Sequence, residues 1–153
     1  MIALVTGGSG GIGGAVAHRL AANGHAVVVH YHRQRDAAMA VVDEVDSADG
    51  TAWAIGADLR REKGATSLFA AIDRLDRALA VVVHAAGTID DHRLSRLDEE
   101  AWDDVVDSNL KSAWLVTREA GQRMAARGDG HILLISSIAG VRGRVGQANY
   151  AAA

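Results

Sequence analysis

Residues 2–24, IALVTGGSGGIGGAVAHRLAANG, decide the fold. Ile2–Val5 is an apolar run of strand length. TGGSGGIGG follows, and then Ile12, Ala15, Val16 and Leu20 recur at helical spacing until Asn23-Gly24 stops the pattern. A strand that passes through glycines into a helix can hold an anion. Glycines let the backbone turn sharply and come close to a pyrophosphate, and the helix N-terminus offers unpaired N–H groups and a positive dipole end. A merely flexible turn would have the same composition. The spacing also departs from G-x-G-x-x-G, because Gly7, Gly11 and Gly13 give T-G-x-x-x-G-x-G.

Outward from this stretch the same alternation continues. Ala26–Tyr31 (AVVVHY) is β-branched and strand-like, and residues 36–47 have a helical pattern. Thr51–Ile55 reads as a third strand. Ala65, Leu68, Phe69, Ile72 and Leu79 mark a third helix, and Ala80–Val83 a fourth strand that ends in His84-Ala85-Ala86-Gly87. Asp98 can cap a helix whose first turn carries Glu99 and Glu100. Leu97 and Trp102 stand at staple spacing around that cap. Trp102, Val105, Val106, Leu110, Ala113 and Trp114 form an apolar stripe over one or two helices. His131–Ile135 (HILLI) is a fifth strand, and Gln147–Ala153 leads into another helix. The order β-α-β-α-β-α-β-α-β, with strands apolar throughout, predicts an α/β fold. Its parallel sheet is doubly wound and Rossmann-like, with both faces covered.

Composition narrows the function classes. At 153 residues, 49% of them apolar, the chain suits one domain. It has no cysteine, which excludes a disulfide framework, a zinc–thiolate site and a thiol nucleophile. A net charge of −3 gives no general attraction to nucleic acid or anionic lipid. No apolar run reaches the roughly 20 residues of a membrane helix, and MIALVTGG lacks the basic start of a signal peptide. The expectation is a soluble cytoplasmic protein without nucleic-acid or membrane partners. His30 and His32 share a strand face without a third ligand, so no metal site is expected and the histidines read as surface or loop residues.

The glycine pattern resembles that of the short-chain dehydrogenase/reductase family, and further landmarks follow in order. Asp58-Leu59 matches the family's acidic position after the third strand, which contacts adenine in relatives. His84-Ala85-Ala86-Gly87 is similar to the family's N-N-A-G segment, with His in place of the usual first Asn. Asn109 sits at the position of the active-site asparagine, Ser137 at the catalytic serine and Tyr150 at the catalytic tyrosine. The resemblance implies cofactor contacts from Gly7, Ser9, Gly10, Gly11, Ile12, Gly13, Arg33, Asp58, Leu59, Ala85, Ala86, Gly87, Asn109 and Tyr150. It implies a helix kink at Asn109 whose backbone carbonyl holds a relay water. Without the resemblance, Asn109 reads equally well as a buried amide bonded to backbone, Ser137 as a turn cap and Tyr150 as a filler of a half-buried site.

The chemistry of the set is coherent. Reducing a ketone needs hydride at carbon and a proton at oxygen. A tyrosine O–H can supply the proton, although its free pKa near 10 makes it reluctant. A second hydroxyl can bind the carbonyl oxygen as charge develops there. The stretch from the end of the second strand, HYHRQR, has no acid before Asp36, and Arg33 suits a 2′-phosphate, so the sequence favours NADPH over NADH. Asp90 to Tyr150 most resembles the branch of the family that reduces 3-oxoacyl thioesters, which implies an acyl-thioester or other small ketone as substrate and a homo-oligomer. The family's Y-x-x-x-K lysine would follow Ala153. The chain is therefore expected to be a single domain, 1–153, that lacks its C-terminal part and is incomplete at that edge of the sheet. An inactive fragment that at most binds the dinucleotide, and a half-domain needing a partner chain, stand as alternatives.

Overall fold

A computed structural model describes residues 1–153. Five strands, β1 (Ile2–Thr6), β2 (Ala26–Tyr31), β3 (Ala52–Gly56), β4 (Leu79–His84) and β5 (His131–Leu134), form one parallel sheet in the order β3-β2-β1-β4-β5. The helices are α1 (Gly11–Ala22), α2 (Arg35–Ser47), α3 (Glu62–Asp73), α4 (Glu99–Val106), α5 (Ser112–Arg127) and the short α6 (Ala148–Ala152). A π-turn, Asp107–Lys111, joins α4 to α5.

The three central strands, β2, β1 and β4, are buried on both faces, as their uninterrupted apolar runs require, whereas the outer strands β3 and β5 are only partly covered. On one side Ile2, Leu4, Val28 and Val82 pack with Leu68, Phe69 and Ile72 of α3 and Leu115 and Val116 of α5. On the other, Val5, Val27 and Val29 pack with Ala17 of α1 and Ala38, Val42 and Val45 of α2. The chain lays β2 and β3 to one side of β1, then crosses back to place β4 on the other. That reversal opens a crevice beyond the C-terminal ends of β1 and β4, where such sheets bind ligands. No helix is long and apolar enough to cross a membrane.

Four expectations need correcting. Leu79 opens β4 instead of closing α3. The helix ends at Asp73, and Asp76 turns the chain at φ 51°, a left-handed conformation Asp tolerates, so residue 79 lies beyond any helical continuation. In α1 the buried residues are Gly13, Gly14 and Ala17, while Ile12 is 63% exposed. Small residues line the buried side because the helix begins tight against the glycine turn. The inward face of α4 and α5 carries Ala101, Val105, Ser112, Leu115 and Val116, and Trp102, Leu110 and Trp114 lie exposed. Bulk misled there: the buried side uses small and hydrogen-bonded residues where the helices approach neighbouring backbone. Finally, His30 and His84 are buried, not on the surface or in loops.

β5 pairs on one side only, with β4, and Leu133 and Leu134 are about half exposed at that sheet edge (50% and 53%).

Candidate active site

The glycine turn leaves β1 at Thr6. Gly7 adopts φ 64°, and a Cβ there would lie 2.8 Å from Ala85 O and from Ala86 N. Only glycine meets both demands. Gly13 stacks so closely on Gly7 that a Cβ would collide with the Gly7 carbonyl. No side chain caps α1 and no acid stands in its first turn, so the N–H groups of Gly11, Ile12 and Gly13 have no partner in the chain. That is an open anion site at a helix N-terminus.

Two residues outside the glycine motif hold this turn. Thr6 Oγ1 accepts the N–H groups of Ala85 and Ala86, each at 3.2 Å, and thereby ties β1 to the segment after β4. Gly7 N–H donates to His30 Nδ1 at 3.2 Å, and His30 Nε2 lies 3.0 Å from the Ala57 carbonyl. Because a carbonyl only accepts, the ring proton is on Nε2. Burial pushes His30 down to about 4, so the ring is neutral and Nδ1 remains an acceptor at neutral pH.

A cavity of about 420 Å³ opens beside the turn. Gly7, Ser9, Gly10, Arg33, Asp58, Leu59, Ala85, Ala86 and Gly87 all line it, together with His32 and Arg60. Asp58 is engaged on both oxygens: Arg60 Nε donates to Oδ1 at 2.9 Å and Arg60 Nη2 to Oδ2 at 3.0 Å. The hydrogen bond from Arg60 holds the Asp58 carboxyl down to about 2. Arg60 also reaches Asp104 of α4 at 3.0 Å. The candidate adenine-contacting carboxylate thus carries an arginine partner that sequence reading missed, although a cation two residues on from a carboxylate is a usable signal.

A second cavity, about 580 Å³, shares residues 85–88 with the first. It brings together Asn109, Ser137 and Tyr150 with Ile12, Leu134 and Ile135. Asn109 lies in the π-turn, and its side chain takes both backbone groups of one residue. Oδ1 accepts from Thr88 N at 2.7 Å, and Nδ2 donates to Thr88 O at 2.9 Å. The amide is bonded to backbone, in a half-buried position instead of the buried one expected, and the residue lies within the π-turn. Ser137 Oγ accepts from Ala139 N at 3.2 Å as the cap of a 3₁₀ turn, which leaves its own hydrogen to donate. Tyr150 is carried by α6. Asn149, fully buried, anchors that helix by donating to the carbonyls of Asp90 and Ala101. Gln147 adds bonds to the Asp91 carboxylate.

Of the candidate residues only Gly11 and Gly13 line neither cavity; they shape the turn between them. Thr6, His30, Arg60 and Asn149 are the supports that sequence reading missed. For Thr6 and His30 the available signal was a polar residue inside an apolar strand, which must find a partner when buried.

Comparison with known proteins points the same way. A family model described as short chain dehydrogenase matches residues 1–153. The chain is 36% identical over 150 residues to the 3-oxoacyl-[acyl-carrier-protein] reductase FabG of Staphylococcus epidermidis, covering 98% of this chain and 62% of that protein. It is 40% identical over 153 residues to the 3-oxoacyl-[acyl-carrier-protein] reductase of Synechocystis sp. and 37% to the acetoacetyl-CoA reductase of Allochromatium vinosum, covering 99% of this chain and 62% of each relative. The crystal structure of a short chain dehydrogenase from Mycobacterium avium superposes with a TM-score of 0.91 at 34% identity, over 99% of this chain and 59% of that one. The chain spans about three fifths of the length of these relatives.

Proposed function

Since the chain belongs to the short-chain dehydrogenase/reductase family, we propose that it is the dinucleotide-binding and proton-donating part of an NADPH-dependent reductase. Its substrate would be a 3-oxoacyl thioester. One observation carries the reading: residues 85–88 are a wall shared by two cavities, one lined by the glycine turn and the other by Asn109, Ser137 and Tyr150. A cofactor that fills the first and reaches round this wall would meet the hydroxyls in the second.

The residues present suit such a group. Three unpaired amides at a helix start suit a pyrophosphate. Gly7 and Gly13 keep clear the space that side chains would block. Arg33 and His32, with no acid at the end of β2, suit a 2′-phosphate better than a bare ribose hydroxyl. The dinucleotide, when bound, supplies the hydride. The Ser137 hydroxyl donates to the carbonyl oxygen of the substrate and stabilises the charge that grows there. The Tyr150 O–H delivers the proton to that same oxygen. Asn109 holds the wall in place through Thr88.

No Lys or Arg lines the cavity of Tyr150. A nearby cation is what would favour its phenolate. The 153 residues alone are therefore expected to bind NADPH and turn over slowly. Fluorescence titration with NADPH, and NADPH consumption with acetoacetyl-CoA, test this. A chain extended to carry lysine four residues after Tyr150 should reduce acetoacetyl-CoA, and Tyr150→Phe in that longer chain should lower turnover by at least ~100-fold. Equal turnover by the short chain, or by the Phe variant, contradicts the assignment.

A further inference from the structure

His84 ends a strand that is otherwise apolar, stands opposite Thr6 in the register of β1 and β4, and is 3% exposed. Both of its ring nitrogens are engaged. Nδ1 lies 2.9 Å from Thr6 Oγ1, and Nε2 lies 3.2 Å from Ser112 Oγ. The partners determine where the ring proton sits. Thr6 Oγ1 already accepts from Ala85 and Ala86, so its own hydrogen is what it has left, and Nδ1 accepts it. Ser112 Oγ donates to the Ser108 carbonyl at 2.6 Å, with the Asn109 carbonyl also in reach at 3.2 Å, so it accepts from Nε2–H. The donors therefore run in one direction: from the amides of residues 85 and 86, through Thr6, His84 and Ser112, to the carbonyls of the π-turn.

This chain of bonds closes a ring. Residues 85–88 are held at one end by Thr6 and at the other by Asn109, and His84 ties these two holders together. We propose that His84 is a positioning residue: as the neutral Nε2–H tautomer it fixes the glycine turn against the π-turn of Asn109, and so keeps the wall between the two cavities in one shape. The proposal rests on the dinucleotide reading above for what the cavities hold. Asparagine, the residue that the family resemblance leads one to expect here, has no atom where Nε2 sits. It could accept from Thr6 but could not reach Ser112.

Two variants of the 153-residue chain test this. His84→Asn and Ser112→Ala each cut the same link, so each should weaken NADPH binding by on the order of tenfold, and the double variant should be no weaker than either. Additive losses, or wild-type affinity in His84→Asn, overturn the proposal. Nitrogen-15 histidine spectra at neutral pH should show His84 with a protonated Nε2 and a bare Nδ1; the opposite tautomer overturns it. Ser112→Ala, a milder change on a helix, keeps the test available if His84→Asn fails to fold. A purely structural role would lower thermal midpoints without producing non-additive affinities. If the wild-type chain does not bind NADPH, the functional reading falls and the link is judged separately. In that case His84→Asn should speed hydrogen exchange at the Thr88 amide, which His84 does not touch, and unchanged exchange there overturns the proposal.

Discussion

At the scale of single residues, Gly7 concentrates the constraints on the turn. Its φ of 64° and the 2.8 Å approach of Ala85 O to a would-be Cβ act together. Gly7→Ala should cost about 1–3 kcal/mol and remove measurable NADPH binding, because the turn must move off the segment after β4 to make room. Denaturant unfolding and fluorescence titration check the two effects separately. Gly11, where a Cβ would meet nothing within 4 Å, is the control: Gly11→Ala should leave stability nearly unchanged. The sequence pattern marks both glycines alike, since a motif records spacing and not what stands opposite each position. His30 and His84 were illegible for a related reason. A histidine in a strand carries no sign of whether it faces water or a neighbouring backbone, and that depends on the alignment of β1, β2 and β4, which only the assembled sheet supplies.

At the scale of elements, legibility followed locality. β2 occupies the expected Ala26–Tyr31, because a β-branched run bounded by polar and glycine residues has little alternative. The Asp98 cap was readable from a few adjacent letters, and the structure shows its carboxylate accepting from Ala101 N at 2.9 Å. Asp98→Ala should cost about 1 kcal/mol. In a chain of this size that corresponds to a fall of roughly 2–4 °C in thermal midpoint. The faces of α4 and α5 were not readable, because Trp102, Leu110 and Trp114 compete in bulk with the smaller residues that turn inward. Phe69 is the opposite case, fully buried among α3, the sheet and α5 as its spacing suggested. Phe69→Ala should cost about 3–5 kcal/mol, enough to unfold much of a marginal domain, as far-ultraviolet circular dichroism would show.

For the molecule as a whole, acid should act through the two interior imidazoles. The unfolded chain protonates its histidines as pH falls below about 6.5, while burial keeps His30 and His84 neutral down to about 4. The unfolded state therefore binds more protons across that window, and stability falls as pH drops from about 6.5 to about 4. Above that window these rings contribute no pH dependence. The full loss is on the order of 3 kcal/mol per ring. Urea midpoints at pH 7.5 and 4.5 should differ accordingly, and His84→Asn should show a shallower drop. Asp58, held down to about 2, adds its share only in stronger acid. The doubly wound sheet was legible from the alternation of strand and helix patterns. What joins its crevice into a site was not, because Thr6 and His84 meet across a separation of 78 residues.

That separation also governs how the chain acquires its shape. Of the five strands, β1 is made before the others and occupies the centre of the sheet, so one of its edges waits for β4 while β2, β3 and three helices are still being made. During synthesis on the ribosome, an apolar ribbon stands half-clothed until the chain doubles back over it. This is the interval in which a nascent polypeptide of such topology is most exposed to aggregation.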